Sequence, residues 1–307
     1  ALCLLVWLVP LPRPFVLGAC FALIGAFLSS TPPFQNAMAM DANRCGIPVV
    51  YGFCRGVGSV SYAAAVLLLG FVLERHAPTL LLPVFAALTA CGLIAMAGFR
   101  LPERPDEAAD RPAEHRSIAA VLRSHPRFAL TLLGCMFFFL THTISNTYMN
   151  ALVGKAGGTA SAVGTSLAIS AVLELPAMTL VSRLQKRFSP GFFLRFAAGA
   201  EVVKFLIFYL AHSMPLIYLG QCMQFFQFAV YAPATVYYVA AALPERDQLK
   251  GQSLIYVAGS GLGGALGNLL GGRLLDRSGI QAALLLGTVS AAASLLTFCL
   301  STRKDSR

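Results

Sequence analysis

Charged residues are scarce in this chain. Only 12% of its 307 residues are Asp, Glu, Lys or Arg, whereas 57% are hydrophobic. In a soluble domain roughly a quarter of the positions are charged, so this composition excludes an ordinary soluble fold and indicates a protein of the lipid bilayer. The net charge of +10 does not indicate a nucleic-acid partner, because the basic residues stand in small groups between apolar stretches.

The sequence lacks the residue patterns that metal binding, disulfide formation and nucleotide binding require. The eight cysteines show neither the paired spacing of a metal site nor a secreted disulfide pattern. The glycine-rich run 259–272 has no preceding strand and no following Gly-Lys-Ser/Thr, so it is not a nucleotide-binding loop. Asp41, Glu245 and Asp247 form no acidic metal cluster. We therefore expect no enzyme activity, no cofactor and no metal site.

Long apolar stretches dominate the chain. A membrane-spanning helix needs roughly 20 mostly apolar residues, and nine stretches meet this requirement, with residues 1–10 as the tail of a tenth. They are about 15–40, 47–73, 79–99, 128–152, 158–181, 191–211, 214–241, 252–275 and 280–300. The pattern predicts an all-α, polytopic helical membrane protein.

One polar segment, 100–126, divides this protein into two parts. Residues 1–99 and 127–301 form the two predicted helical bundles, and residues 302–307 form a short tail. Within the polar segment, residues 117–123 have the pattern of a short helix.

A short pattern occurs twice. Residues 70–75 and 272–277 both run glycine, any residue, an apolar residue, leucine, an acidic residue and arginine, at an offset of 202 positions (272 minus 70). Arg44 and Arg246 keep the same offset. A duplication of this length in an apolar chain is typical of a transporter built from two similar halves. The offset places the start of the first half before Ala1, so we expect a first bundle that lacks its beginning.

Basic residues are distributed unequally between the two predicted sides of the membrane. The side that contains segment 100–126 has sixteen Lys and Arg and the opposite side has five, while Arg55 and Lys204 lie within helices. Because basic residues favour the cytoplasmic face, we expect the central loop and the C-terminus in the cytoplasm of a cell (inner) membrane protein.

Three segments resemble the major facilitator superfamily. Residues 51–63 look like the fifth-helix signature of the branch that contains lactose permease and other sugar, nucleoside and phenylpropionate symporters. Residues 251–277 are similar to the eleventh helix of that branch, and residues 182–188 resemble the superfamily's basic loop. The resemblance implies two six-helix bundles, with the first reduced here to the end of helix 3 through helix 6. We also expect a monomer that transports a solute by alternating access.

Four ionisable residues lie inside predicted helices, where a charge is costly unless it faces protein or water. Arg55 matches the family's substrate and ion-pair arginine, and Glu174 resembles its acidic substrate residue. Burial favours the protonated form of a carboxyl group, which proton coupling requires. Glu201 and Lys204, three positions apart, form a pair on one face, or Lys204 pairs with Glu174. The alternative for each residue is a structural ion pair.

Neutral polar residues complete the predicted lining of a cavity. Most recur every three or four positions, which places them on common helix faces. They are His142, Asn146 and Asn150, then Gln221, Gln224, Gln227 and Tyr231, and in the first helix Gln35 and Asn36. Amides and hydroxyls suit a polyhydroxyl substrate, although each residue alone is also explained as hydrogen bonding between helices.

These features predict a secondary transporter for a small polar solute of the sugar or nucleoside class, embedded in the lipid bilayer. Because no nucleotide-hydrolysis motif is present, we expect an ion gradient to supply the energy. Proton symport is the expected mode, and sodium is the alternative coupling ion. Two alternatives remain at this stage. One is efflux of drugs or metabolites by proton antiport on the same fold, and the other is a fragment that does not transport.

Overall fold

The computed structural model describes residues 3, 6, 14–44, 46–47, 51–98, 117–185 and 187–302. In this part of the chain all the regular structure is helical, which confirms the all-α prediction. The helices, numbered here in chain order, are α1 (Pro14–Arg44), α2 (Tyr51–Leu73), α3 (Leu81–Ala97), α4 (Ile118–Ser124), α5 (Pro126–Thr147), α6 (Met149–Lys155), α7 (Ala160–Leu184), α8 (Pro190–Leu210), α9 (Met214–Cys222), α10 (Phe228–Ala242), α11 (Glu245–Tyr256), α12 (Gly264–Ser278) and α13 (Ile280–Ser301).

Each of the predicted apolar stretches contains helix. Those long and apolar enough to cross a membrane, by length and composition, are Gly56–Leu73, Pro126–Thr147, Ala160–Val181, Met214–Ala242, Arg246–Ser278 and Ile280–Ser301. Phe15–Leu28 and Leu81–Ala97 are shorter apolar helices. Helix α8 has 21 residues but carries three charged side chains, Arg195, Glu201 and Lys204. The charges of α8 therefore need partners inside the protein.

Capping residues and prolines explain where several helices begin. The Ser117 hydroxyl accepts a hydrogen bond from the Ala120 amide at 3.2 Å and starts α4, the short helix that the sequence predicts inside the polar segment. Ser189 starts α8 in the same way, and Pro190 occupies the first helical position, where no amide donor is needed. Gly279, with φ of 76°, makes the turn between α12 and α13.

The single helix predicted over 128–152 is wrong, because α5 ends at Thr147 and α6 begins at Met149. The intervening Tyr148 has φ of −103° and ψ of 17°. Two hydrogen bonds to Asn268 of α12 hold this junction. The Thr147 hydroxyl donates to Asn268 Oδ1 at 3.0 Å, and the Tyr148 hydroxyl donates to the Asn268 carbonyl at 2.6 Å.

The helix predicted over 214–241 is also interrupted. Helix α9 gives way to a 3₁₀ turn at Met223–Phe225, and α10 starts after Gln227, whose φ of −98° and ψ of −93° are not helical. A π-helical segment, Val257–Gly263, likewise connects α11 with α12. Both irregular segments lie inside apolar spans, where a break in regular hydrogen bonding is tolerated when it is covered by protein.

The chain divides into two compact units. One comprises residues 1–54 and 75–111, and the other comprises residues 55–74 and 112–307. The first unit contains α1 and α3, and α3 has no buried residue. The second unit contains α2 from Arg55 onward together with α4 to α13. All of the geometry described below belongs to the second unit.

Glycines allow α2 and α7 to approach closely within this unit. A Cβ atom on Gly164 would lie 2.7 Å from the Val66 carbonyl oxygen, and one on Gly70 would lie 3.4 Å from Gly164 Cα. Ala63 of α2 packs in the same region with Ala168 and Ala171 of α7. Small residues therefore bring the two backbones together, as they do between helices in membranes generally.

The acidic residue that closes the first copy of the repeated pattern caps a neighbouring helix. Glu74 Oε1 accepts hydrogen bonds from the Thr159 hydroxyl at 3.1 Å and from the Ser161 amide at 3.3 Å. These donors lie at the start of α7, where amides lack helical partners and a negative charge is favoured by the helix dipole.

Replacing Glu74 with Ala is expected to destabilise the first turn of α7 by about 0.5–2 kcal/mol, the usual cost of losing a helix cap. The measurement is thermal unfolding of the purified protein in detergent. Glu74→Gln keeps an acceptor oxygen and should lose less stability than Glu74→Ala. Equal melting temperatures for wild type and Glu74→Ala would show that the cap contributes nothing.

Two apolar clusters form the core of the second unit. One includes Phe128 and Phe138 of α5 with Leu194 of α8, and the other includes Leu140 of α5 with Phe205 of α8. Along α8, the buried residues of the first cluster end at Ala198 and those of the second begin at Phe205, with Glu201 and Lys204 between them. The buried charges therefore lie at a middle level of the helices, between two apolar layers.

Candidate functional site

Three charged side chains are buried at this middle level. Glu174 of α7 is 9% exposed, Glu201 of α8 is 0% exposed and Lys204 of α8 is 1% exposed. Burying a charge is expensive unless other groups hydrogen-bond to it. The identity of those groups therefore defines what the site can do.

A continuous chain of hydrogen bonds joins four buried residues. The Ser59 hydroxyl of α2 donates to Glu174 Oε2 at 2.5 Å, and Gln224 Nε2 donates to Glu174 Oε1 at 3.2 Å. Lys204 Nζ donates to Gln224 Oε1 at 2.9 Å. We call Ser59, Glu174, Gln224 and Lys204 the polar network. It links α2, α7, α8 and the 3₁₀ turn that follows α9.

A second interaction lies beside the polar network. Gln227 Nε2 donates to Glu201 Oε1 at 2.9 Å, and both residues are 0% exposed. Among the described residues, Glu201 Oε2 and Gln227 Oε1 have no hydrogen-bond partner. Glu201 is thus held through one of its two carboxyl oxygens.

The direct ion pairs that the sequence suggests are replaced here by amide bridges. Lys204 reaches Glu174 through Gln224, and the observed hydrogen-bond donor to Glu201 is Gln227. Both glutamines lie in the interruption between α9 and α10, Gln224 in the 3₁₀ turn and Gln227 immediately before α10. Lys204 also lies over the ring of Phe208, with Nζ 5.5 Å from the ring centroid.

His142 of α5 forms an aromatic and polar cluster with neighbouring side chains. Its ring stacks on Phe228 of α10 with centroids 4.3 Å apart and meets Phe139 edge to face at 5.8 Å. Asn146 Nδ2 lies 3.0 Å from His142 Nε2 and also donates to the His142 carbonyl at 3.0 Å. The predicted pairing of His142 with Asn146 on one helix face is therefore observed.

Other candidates lie apart from the polar network or outside the described part of the chain. Asn150 is exposed on α6, beyond the end of α5 at Thr147. Gln221 contacts the Met149 sulfur, with Nε2 to Sδ at 3.8 Å. The side chains of Gln35, Asn36 and Arg55 are not among the described residues.

Ser59 is the functional candidate that the sequence reasoning missed. It lies four positions after Arg55 in the same signature segment, so the two residues share one face of α2. The sequence signal for Ser59 is its position, because it is a polar residue four positions from an arginine inside a predicted membrane helix.

The polar network can recognise hydroxyl groups and respond to charge. A carboxylate held by neutral donors can exchange one of them for a solute hydroxyl, and an amide bonded to both an acid and an ammonium group transmits the change. No group of three or more His, Cys, Asp or Glu residues that could hold a metal ion occurs among the residues the structure describes.

Comparison with known proteins places the chain in a family. Residues 1–286 match the MFS_1 like family. "Maltose permease" of Geobacillus stearothermophilus is 28% identical over 286 residues, which cover 92% of this chain and 71% of that protein. "Uncharacterized transporter YwbF" of Bacillus subtilis (strain 168) is 23% identical over 290 residues, which cover 94% of this chain and 71% of that protein.

A solved structure shows the same fold. The crystal structure of the major facilitator superfamily transporter FucP, in the outward conformation, superposes with a TM-score of 0.53 and 19% identity. The matched region covers 75% of this chain and 59% of that chain, so the chain spans less than two thirds of the solved transporter. The polytopic helical fold, the match to the family model and the similar relatives agree. The chain belongs to the MFS_1 like family and has the fold of the major facilitator transporters.

Proposed function

We propose that this protein moves a small polar solute, of the sugar or nucleoside class, across the cell membrane by proton-coupled symport with alternating access. The observation that carries the proposal is the polar network, in which Ser59, Glu174, Gln224 and Lys204 are joined while buried among apolar helices. Buried polar groups of this kind inside a membrane are costly, and they mark substrate and ion pathways.

The chemistry of the site favours a solute rich in hydroxyl groups. Glu174 supplies acceptor oxygens, Gln224 supplies both a donor and an acceptor, and Ser59 supplies a hydroxyl that is able to do both. His142 and Asn146 add an imidazole and an amide, which are hydrogen-bonding groups suited to a sugar or a nucleobase. The similarity to a protein named maltose permease supports the sugar class.

Within this proposal, Ser59 and Lys204 lie at opposite ends of the polar network, and Glu174 is the carboxylate that accepts from Ser59. A solute hydroxyl that replaces Ser59 as a donor to Glu174 would separate α2 from α7 at this level, because the Ser59 bond joins these two helices. Coupling between solute binding and helix movement then follows from competition for the same carboxylate. The protein acts as a monomer, with residues 100–126 and the C-terminus in the cytoplasm.

The proposal predicts uptake of radiolabelled solute into proteoliposomes. A panel of monosaccharides, disaccharides and nucleosides is offered with an inwardly directed pH gradient of one unit. For one proton per solute, about tenfold accumulation is expected for at least one solute, because one pH unit corresponds to 1.36 kcal/mol. Protein-free liposomes are the control, and a protonophore should abolish the accumulation.

Other results would contradict specific parts of the proposal. Accumulation that follows a sodium gradient and ignores the pH gradient would rule out proton coupling. Loss of preloaded solute, driven by the inward pH gradient, would favour antiport and export. Binding and transport restricted to apolar drugs would overturn the polar solute class.

A further inference from the structure

The two buried carboxyl groups differ in how their oxygens are partnered. Both oxygens of Glu174 accept hydrogen bonds, one from Ser59 and one from Gln224. Glu201 is more deeply buried, yet only its Oε1 accepts a hydrogen bond from a described residue, Gln227, and its Oε2 has no described partner.

This difference matters because an anion and a neutral acid have different needs. A buried carboxylate requires donors at both oxygens or a cation in contact, whereas a neutral carboxylic acid loses far less when one oxygen is unpaired. Among the described residues, Glu174 has the partners that an anion requires and Glu201 does not. The geometry therefore suits an ionised Glu174 and a protonated Glu201.

The groups around Glu201 are consistent with this assignment. Lys204 lies on the same helix and favours a negative Glu201, but its ammonium group donates to Gln224 Oε1. The packed helices also supply Gln227, which donates to the carboxyl group, and Tyr231 of α10, which is a titratable neighbour. From α5, Cys135 approaches Tyr231, and His142 is the titratable group near Lys204. Within the part of the chain that the structure describes, these neighbours include one cation, Lys204, which already donates to Gln224.

We propose that Glu201 carries the coupling proton and that Glu174 remains ionised as part of the solute site. This inference rests on the proposed symport. When Glu201 releases its proton to water, a carboxylate forms one helical turn from Lys204, at a spacing that allows a pair. The Lys204 ammonium then leaves Gln224 for Glu201, and Gln224 Oε1 loses the hydrogen bond that Lys204 donates to it. Deprotonation of Glu201 thus disconnects Glu174 from Lys204.

The test compares Glu201→Gln with wild type in proteoliposomes. Glutamine has the shape of the protonated acid and cannot release a proton. Glu201→Gln should therefore lose the tenfold accumulation under a one-unit pH gradient while retaining solute exchange, measured as counterflow, within about twofold of wild type. Its solute affinity should stay constant as the pH rises, whereas wild-type affinity should fall.

Two variants serve as controls. Glu201→Asp keeps a carboxyl group and should retain accumulation. Asp276→Asn makes the same change from carboxyl to amide at an exposed position of α12, and it should accumulate solute as wild type does.

An infrared measurement keeps the inference testable if Glu201→Gln also loses counterflow. Wild-type protein should show the carbonyl band of a protonated carboxyl group in an apolar environment, and this band should be absent from Glu201→Gln.

Persistence of the band in Glu201→Gln would overturn the inference, and so would full proton-driven accumulation by this variant. Sodium-driven uptake that is lost only in Glu201→Gln would also overturn it. A wild-type protein that shows no proton-driven uptake would instead contradict the proposed function.

Discussion

Replacing Glu174 with Ala is expected to reduce solute uptake at low solute concentration by a factor of about 30 or more. The substitution removes the acceptor of both Ser59 and Gln224 and leaves the Lys204 charge buried without its distant counter-charge. Truncating one partner of a buried, hydrogen-bonded charge pair costs about 2–5 kcal/mol, and each 1.4 kcal/mol corresponds to a factor of ten. Initial rates of uptake into proteoliposomes measure the effect.

Matched variants separate the solute site from general damage to α7. Ser170→Ala removes a buried hydroxyl of the same helix, which donates to the Leu167 carbonyl at 2.8 Å, and it should transport as wild type does. Ser59→Ala should show a smaller loss than Glu174→Ala, and the double variant should lose less than the sum of the two, because they share one hydrogen bond. Strictly additive losses would mean that the Ser59 contact has no role in transport.

Replacing Gly263 with Ala is expected to destabilise the protein by about 3 kcal/mol, the upper end of the range for overpacking. A Cβ atom at this position would lie 2.3 Å from the Met136 carbonyl oxygen of α5, so a backbone atom rather than a flexible side chain is in the way. One helical turn further along, a Cβ atom on Gly267 would lie 2.6 Å from the Leu140 carbonyl oxygen. These glycines therefore set the distance between α5 and the segment that leads into α12.

Thermal unfolding in detergent measures this destabilisation. At roughly 2–4 °C for each kcal/mol in a chain of this size, Gly263→Ala should melt about 6–12 °C below wild type. Gly261→Ala is the matched control, because its nearest contact is the Tyr256 carbonyl oxygen at 3.8 Å, which leaves room for the methyl group. If the two variants melt together, the close approach to α5 does not limit the packing.

Much of the fold follows from the sequence because the bilayer restricts the choice. A long apolar stretch in lipid has to satisfy its own backbone hydrogen bonds, so helix is the structure that the apolar runs predict. The glycine-rich run 259–272 is also visible in the sequence, and the structure shows α5 as the helix that Gly263 and Gly267 face. Propensity and periodicity are local properties, which is why they were sufficient for these features.

The helix interruptions were not predictable in the same way. Tyr148 ends α5 where it and Thr147 hydrogen-bond to Asn268, a residue about 120 positions away. No local pattern marks that contact, so the sequence predicts one helix over residues 128–152 where the structure has two. The same applies to the break at Gln227, whose side chain hydrogen-bonds to Glu201, a residue 26 positions away.

The sequence by itself determined that this protein is helical and polytopic. It also determined that Glu174, Glu201 and Lys204 are charges inside apolar helices that need partners. Both follow because apolar length and the position of a charge within it are properties of the residues themselves. Only the tertiary structure decided the partners. Gln224 joins Lys204 to Glu174, Gln227 binds Glu201, and Ser59 reaches Glu174 from α2. Hydrogen bonding requires atoms within about 3 Å in the correct orientation, and helices distant in sequence meet that condition only when they are packed.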